Sequence, residues 1–179
     1  MIDWNTITAL EGGQLLRAYI PRTTGNKSGV TIAGGIDLGY YSLADCARLP
    51  GDLPERLHPY IGLTGDRARA ELIGHPLSVT KAEADAIEAP KRLGIIGQLS
   101  LRYVRDAAFP FEKLPDAAQT VLASVAWQYG DPWHDCPKFW KAACARDWPA
   151  VVAELRDFGD AFPTRRRQEA DYLEKHLGR

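Results

Sequence analysis

Two carboxylates, Glu11 and Asp37, stand in unlike settings near the start of the chain. Glu11 closes an apolar helical stretch and is followed by Gly12-Gly13. Asp37 lies among glycines just past an apolar strand, in Val30-Thr31-Ile32-Ala33-Gly34-Gly35-Ile36-Asp37-Leu38-Gly39. Cleavage of a glycosidic bond needs such a division. One carboxyl group protonates the leaving oxygen while the other activates water, or attacks, from the far face of the sugar. At a helix C-terminus the dipole disfavours the ionised carboxylate, and a proton retained near neutral pH is what a general acid needs. The plain alternative for Glu11 is a solvated residue in a last helical turn.

The flanking sequence supplies the elements that must hold these groups. Asp3 can cap a first helix with Ile7 and Leu10 inward, which Gly12-Gly13 ends. Leu15 to Pro21 reads as a strand, with Leu16, Ala18 and Ile20 alternating against Arg17 and Tyr19. Arg22 to Gly29 is a polar turn, so Val30-Thr31-Ile32 returns to form a hairpin. Gly34, Gly35 and Gly39 let backbone turn tightly or pass close to a ligand, and Gly34 and Gly35 are candidate substrate contacts. Their spacing fits neither a dinucleotide fingerprint nor a P-loop.

The remainder reads as helix. Ser42 can cap a helix over 43–49, Pro50 to Gly65 reads as irregular, and a helix follows over 66–73. Thr80-Lys81-Ala82-Glu83 is a capping box. Pro90 should kink or end the helix it opens, with helix continuing over 91–107. Pro115 starts a helix that is apolar nearly all round and therefore belongs in a core. Short helices over 137–145 and 148–158 precede a last one over 165–177, capped by Thr164. The fold class is α+β, mainly helical, with the strands near the N-terminus. One domain of 179 residues is expected, with a small N-terminal lobe over 12–80, a connecting helical region over 80–108, and a helical C-terminal lobe over 109–179 onto which the first helix packs.

Composition narrows the class. The chain is 45% hydrophobic and 25% charged with net charge −1, so it carries no electrostatic footprint for nucleic acid. No apolar run approaches the roughly 20 residues that span a bilayer. Three cysteines make a disulfide framework unexpected and suit synthesis in a reducing cytosol. The first residues lack the pattern of a signal peptide, so a substrate outside the cytosol implies another delivery route. His134, Asp135, Cys136 and Cys144 lack paired zinc spacing, and neither a metal nor a cofactor is expected. Cysteine nucleophile chemistry has no matching partner pattern. Trp127, Trp133, Trp140 and Trp148 read as core or cleft wall, with sugar stacking a second reading for Trp133 in an exposed loop over 131–136.

Taken in order, several stretches resemble one family. Glu11-Gly12 after a short helix is followed by Gly29-Val30-Thr31-Ile32, then Gly35, then Asp37-Leu38-Gly39. Leu114-Pro115 leads the buried helix, Trp127-Gln128-Tyr129-Gly130 ends it, and Arg165-Arg166-Arg167-Gln168-Glu169-Ala170 comes late. This set resembles the pesticin-like muramidase domains, relatives of the lysozymes of T-even phages. The resemblance implies a lysozyme-like fold in which a long helix joins a small β-hairpin lobe to a helical lobe. It implies Glu11 as catalytic acid, with Thr31 and Asp37 holding and activating the attacking water. The order Glu, Thr, Asp departs from the T-even pattern, where the second carboxylate precedes the threonine.

On that resemblance the expected activity is hydrolysis of the β-1,4 linkage between N-acetylmuramic acid and N-acetylglucosamine in peptidoglycan, with inversion. Gln128 is expected to contact sugar. Arg165 or Arg166 is expected to support Glu11, against the plain alternative of a solvated helix face. Two rivals stand beside this reading: a lytic transglycosylase, which needs the acid but no held water, and a wall-binding or inhibitory protein without turnover. The expected partner is the glycan strand, met by a monomer in the periplasm or cell wall, and an immunity protein is conceivable if the protein is a toxin. A phage lysis enzyme is the other role.

Overall fold

The computed structural model describes residues 1–21 and 27–177, so most of the expected turn over 22–29 lies outside the described residues. The elements in chain order are α1 (Trp4–Leu10), β1 (Leu15–Tyr19), β2 (Thr31–Ala33), β3 (Ile36–Asp37), α2 (Leu43–Cys46), α3 (Leu53–Leu57), α4 (Gly65–Gly74), α5 (Lys81–Ala107), α6 (Asp116–Tyr129), α7 (Pro132–Asp135), α8 (Pro137–Ala145), α9 (Trp148–Arg156) and α10 (Pro163–Leu177). Contacts divide the chain into two compact units, Glu11–Arg92 and Met1–Leu10 with Leu93–Arg179. The division falls inside α5. Among the described residues no helix is long and apolar enough to cross a membrane.

In the first unit an antiparallel sheet runs in the order β1-β2-β3. The expected hairpin is its first pair, with Leu15 opposite Ala33 and Tyr19 opposite Thr31, and an irregularity between them. Strand β3 is an addition. Thr31 pairs with Asp37 and Ile32 with Ile36. The turn between β2 and β3 needs left-handed backbone, with φ of 56° at Ala33 and 83° at Gly35. The simple alternation read for β1 fails, because Ala18 is buried but Leu16 is 40% exposed. The irregular register breaks the period of two, and the free edge of β1 is closed by backbone bonds from Ala18 N–H to Leu77 and from Val79 N–H to Leu16.

Local capping chemistry fixes the helices of this unit. Ser42 Oγ accepts from Ala44 and Asp45, and Thr80 and Glu83 bond reciprocally as a capping box, at 3.2 and 2.7 Å. Pro90 lies inside α5 without ending it. The lost N–H is one bond in a helix of 27 residues, and packing on both sides of it offsets the loss. The stretch 50–65, read as irregular, holds α3 and a 3-10 turn over His58–Tyr60. Two of its three prolines, Pro54 and Pro59, stand in the first turns of these helices, where the missing N–H is no handicap.

The second unit is a helical body around α6. Every residue from Ala117 to Trp127 is buried, as an all-round apolar helix requires. Two of its polar side chains are satisfied locally. Gln119 donates to Leu114 O at 2.8 Å, and Thr120 Oγ1 donates to Asp116 O at 2.8 Å. Helix α1 docks here, through Asp3 N–H on Thr120 Oγ1 at 2.9 Å and an edge-on contact between Trp4 and Trp127. Trp133 lies on α7, where a loop was expected. Its ring meets Trp140 edge-on at 5.5 Å, and the Arg102 guanidinium covers it at 5.1 Å. The last helix begins at Pro163, one residue ahead of the Thr164 cap that was expected, because proline suits a first turn.

Candidate active site

The sheet register brings Thr31 and Asp37 together. Directly opposed residues on antiparallel strands share a face with Cβ atoms roughly 4.5–5.5 Å apart, and Thr31 is opposite Asp37 on one side and Tyr19 on the other. Tyr19, Thr31 and Asp37 thus form a row across three strands. Glu11 follows α1 directly, half-buried, and the chain leaves it through Gly12 and Gly13 at φ of 87° and 90°. Burial pushes the Tyr19 phenol above its ordinary range, and Glu11 and Asp37 both add to the rise by their charge. One side chain therefore senses both carboxylates. Nothing in the sequence singled out Tyr19, because only the register reveals its neighbours.

Asp37 is held by backbone. Its Oδ1 accepts from Gly39 N–H at 2.8 Å, and the Gly29 N–H bridges Oδ1 and Oδ2 at 3.1 and 3.0 Å. A carboxylate has about four lone-pair sites, so these bonds orient the group and leave capacity for a further donor such as water. The same contacts explain the glycines that bracket the motif. A Cβ on Gly29 would fall 2.3 Å from Asp37 Oδ1 and 2.6 Å from Gly39 N, and one on Gly39 would fall 2.6 Å from Leu63 O. Replacing Gly29 with alanine should therefore displace Asp37. The expected result is at least a tenfold loss of any turnover that Asp37 supports, on the order expected for misplaced catalytic groups, with the helical signal in circular dichroism retained. Wild-type activity in Gly29→Ala would show that the carboxylate need not sit in this cradle.

Thr31 is 3% exposed, and its hydroxyl donates weakly to Gly29 O at 3.4 Å. The two glycines expected as substrate contacts behave differently. Gly34 is buried, and its N–H is spent on Glu88 Oε1 at 2.7 Å, so the close approach there is to the protein's own carboxylate. Gly35 is exposed and lines a cavity of about 430 Å³ together with Asp37, Tyr40, Ser42, Pro90 and Lys91. Tyr40 is 74% exposed there and presents an aromatic face. A more apolar cavity of about 500 Å³, between α9 and α10, holds none of these groups.

The other expected site residues belong to the second unit. Arg166 donates through Nη2 to the Gln128 side-chain oxygen, which turns the Gln128 amide nitrogen in one direction. Arg165 and Arg166 are 8% and 1% exposed, so neither is part of a solvated face, while Arg167 is exposed. Both converge on Glu169, which is fully buried. Arg165 Nε reaches Oε1 at 3.1 Å, Arg166 Nη1 bonds Oε2, and Ser124 Oγ donates to Oε1 at 2.5 Å. Arg165 also donates to Ser124 O, and Arg166 to Asp160 Oδ2 at 2.9 Å. Burial pushes the Glu169 carboxyl up, and the two arginines and Ser124 pull against it. Glu169 was visible in sequence only as one letter of a late motif.

Burial pushes Cys136 and Cys144 up to about 11 each, so both stay protonated near neutral pH and neither is an activated nucleophile. Among the described residues no group of three or more His, Cys, Asp and Glu side chains could hold a metal ion.

Residues 1–149 match the family model described as pesticin, a bacterial toxin homologue of phage lysozyme, C-terminal part. No curated protein matches the chain. With the small antiparallel sheet near the N-terminus and a helical remainder, the match identifies the architecture as a lysozyme-like α+β fold.

Proposed function

The chain belongs to the pesticin family of phage-lysozyme homologues, and on that basis we propose that it is a muramidase acting on peptidoglycan. It hydrolyses the β-1,4 linkage between N-acetylmuramic acid and N-acetylglucosamine. The observation that carries the reading is the pairing of Thr31 with Asp37, whose carboxylate is fixed by Gly29 and Gly39 N–H. In this mechanism Glu11 gives its proton to the leaving glycosidic oxygen. Asp37 takes a proton from water while Thr31 Oγ1 fixes that water, and the water oxygen bonds to the anomeric carbon as the glycosidic bond breaks. A hydroxyl as withdrawn from solvent as Thr31 suits one ordered water rather than an exchanging shell. Gly35 and Gln128 serve as sugar contacts.

An inverting enzyme of this kind needs its carboxyl groups roughly 6.5–9.5 Å apart, with room for the water between them. The test is digestion of Gram-negative sacculi followed by proton NMR and mass spectrometry. The expected products carry reducing muramic acid ends, and the α anomer forms first. Anhydro ends would mean transglycosylation, and a first-formed β anomer would mean retention. Sacculi that bind the protein and stay intact would leave only a wall-binding role. Under this proposal the protein acts as a monomer on peptidoglycan in the periplasm or wall. A producing cell using it as a toxin would need an immunity protein.

A further inference from the structure

Glu88 on α5 is 1% exposed, and the mechanism above does not use it. Its carboxylate gathers donors from two separate segments. Oε1 accepts from Gly34 N–H at 2.7 Å and from Gln14 Nε2 at 3.0 Å, and Oε2 accepts from Arg92 Nη2 at 2.5 Å. Gln14 follows Glu11 across the Gly12-Gly13 pair. Gly34 sits in the turn between Thr31 and Asp37, beside Ala33 in its left-handed conformation. Gln14 is clamped further, through Asp85 Oδ1 at 2.9 Å and Lys81 Nζ at 3.4 Å.

We infer that Glu88 is a positioning residue that ties the segment carrying the proposed acid, through Gln14, to the turn carrying the proposed water-holding pair, through Gly34. The inference rests on the muramidase reading for what is positioned. Two glycines with positive φ leave the chain after Glu11 without stiffness of its own, so an anchor at Gln14 restores it. The turn that aligns Thr31 with Asp37 contains a strained alanine, and strained backbone persists only where surrounding contacts over-determine it. A buried carboxylate is a costly way to fill helix surface, since an apolar side chain would pack there without losing hydration. Its geometry makes sense as a double acceptor. One oxygen receives both segments, and Arg92 balances the charge on the other.

The test compares wild type with Glu88→Ala and with the double variant Glu88→Gln/Arg92→Gln. The double variant keeps an acceptor for Gly34 and Gln14 and replaces the ion pair by an amide pair. Turnover on sacculi is measured well below each melting midpoint, with Gly34 amide exchange followed by NMR. Glu88→Ala should lose about 10- to 100-fold in kcat, as misplaced catalytic groups do, with KM changed less than about threefold. Its Gly34 amide should exchange at least about tenfold faster. The double variant should recover both. Should Glu88→Ala fail to fold, the double variant carries the test, with protected Gly34 and near wild-type kcat expected. Unchanged Gly34 exchange in Glu88→Ala overturns the proposal. So does faster exchange with wild-type kcat, or a double variant with protected Gly34 that remains as slow as Glu88→Ala. Wild type without turnover would defeat the muramidase reading instead, and Gly34 exchange would still decide whether Glu88 holds the turn.

Discussion

Glu11→Gln should be folded and without measurable lysis. The amide keeps the shape of the carboxylic acid but has no proton to give to a leaving oxygen. General acid catalysis contributes about 10²–10⁴-fold, and a sugar alkoxide is a poor leaving group without protonation. Sacculus turbidity should therefore fall at the rate of the buffer blank. The melting midpoint should shift little, because Glu11 is half-buried beside a glycine turn and not a core residue. Asp37→Asn should be strongly impaired as well. It retains an acceptor oxygen for Gly29 and Gly39 N–H but no longer takes a proton from water. Lysis by Glu11→Gln at the wild-type rate would remove Glu11 from the mechanism. Asp37→Asn at full rate would leave Glu11 acting without a base, the pattern of a transglycosylase.

Glu169→Leu should cost about 3–5 kcal/mol of folding stability, the range for breaking a buried ion pair by removing one partner. The leucine removes the acceptor shared by Arg165, Arg166 and Ser124 and leaves two buried guanidinium groups to find other partners. At roughly 2–4 °C per kcal/mol for a chain of this size, the melting midpoint should fall by about 6–20 °C. Differential scanning calorimetry reads this directly. A shift below about 2 °C would show that Ser124 O and Asp160 suffice to hold the arginines. The cluster also joins α10 to Gln128 at the end of α6 through Arg166. Near 25 °C, where the variant remains folded, any loss of lysis would report disorder in Gln128 rather than global unfolding.

The sequence by itself determined most of the helices and the first hairpin, but not α3 or α7. Ser42, the Thr80–Glu83 box and the apolar run over 117–127 act through bonds and burial within one segment, so their signals are local. The residue types and order of Glu11, Thr31 and Asp37 were also legible, because acid chemistry and a family pattern both point at them. Only the tertiary structure decided what surrounds them. Strand β3, two residues long, has no periodicity to read. It nevertheless sets Thr31 opposite Asp37 and extends the row to Tyr19. The need for glycine at 29 and 39 comes from a carboxylate and a carbonyl folded against them. Arg165 and Arg166 read in the sequence as support for Glu11, with a solvated helix face as the plain alternative, and Glu88 carried no signal at all. Their roles depend on partners distant in sequence: Ser124 and Gln128 for the arginines, Gln14 and Gly34 for Glu88. A buried charge is specified by its counter-groups, and those meet only when the chain has folded.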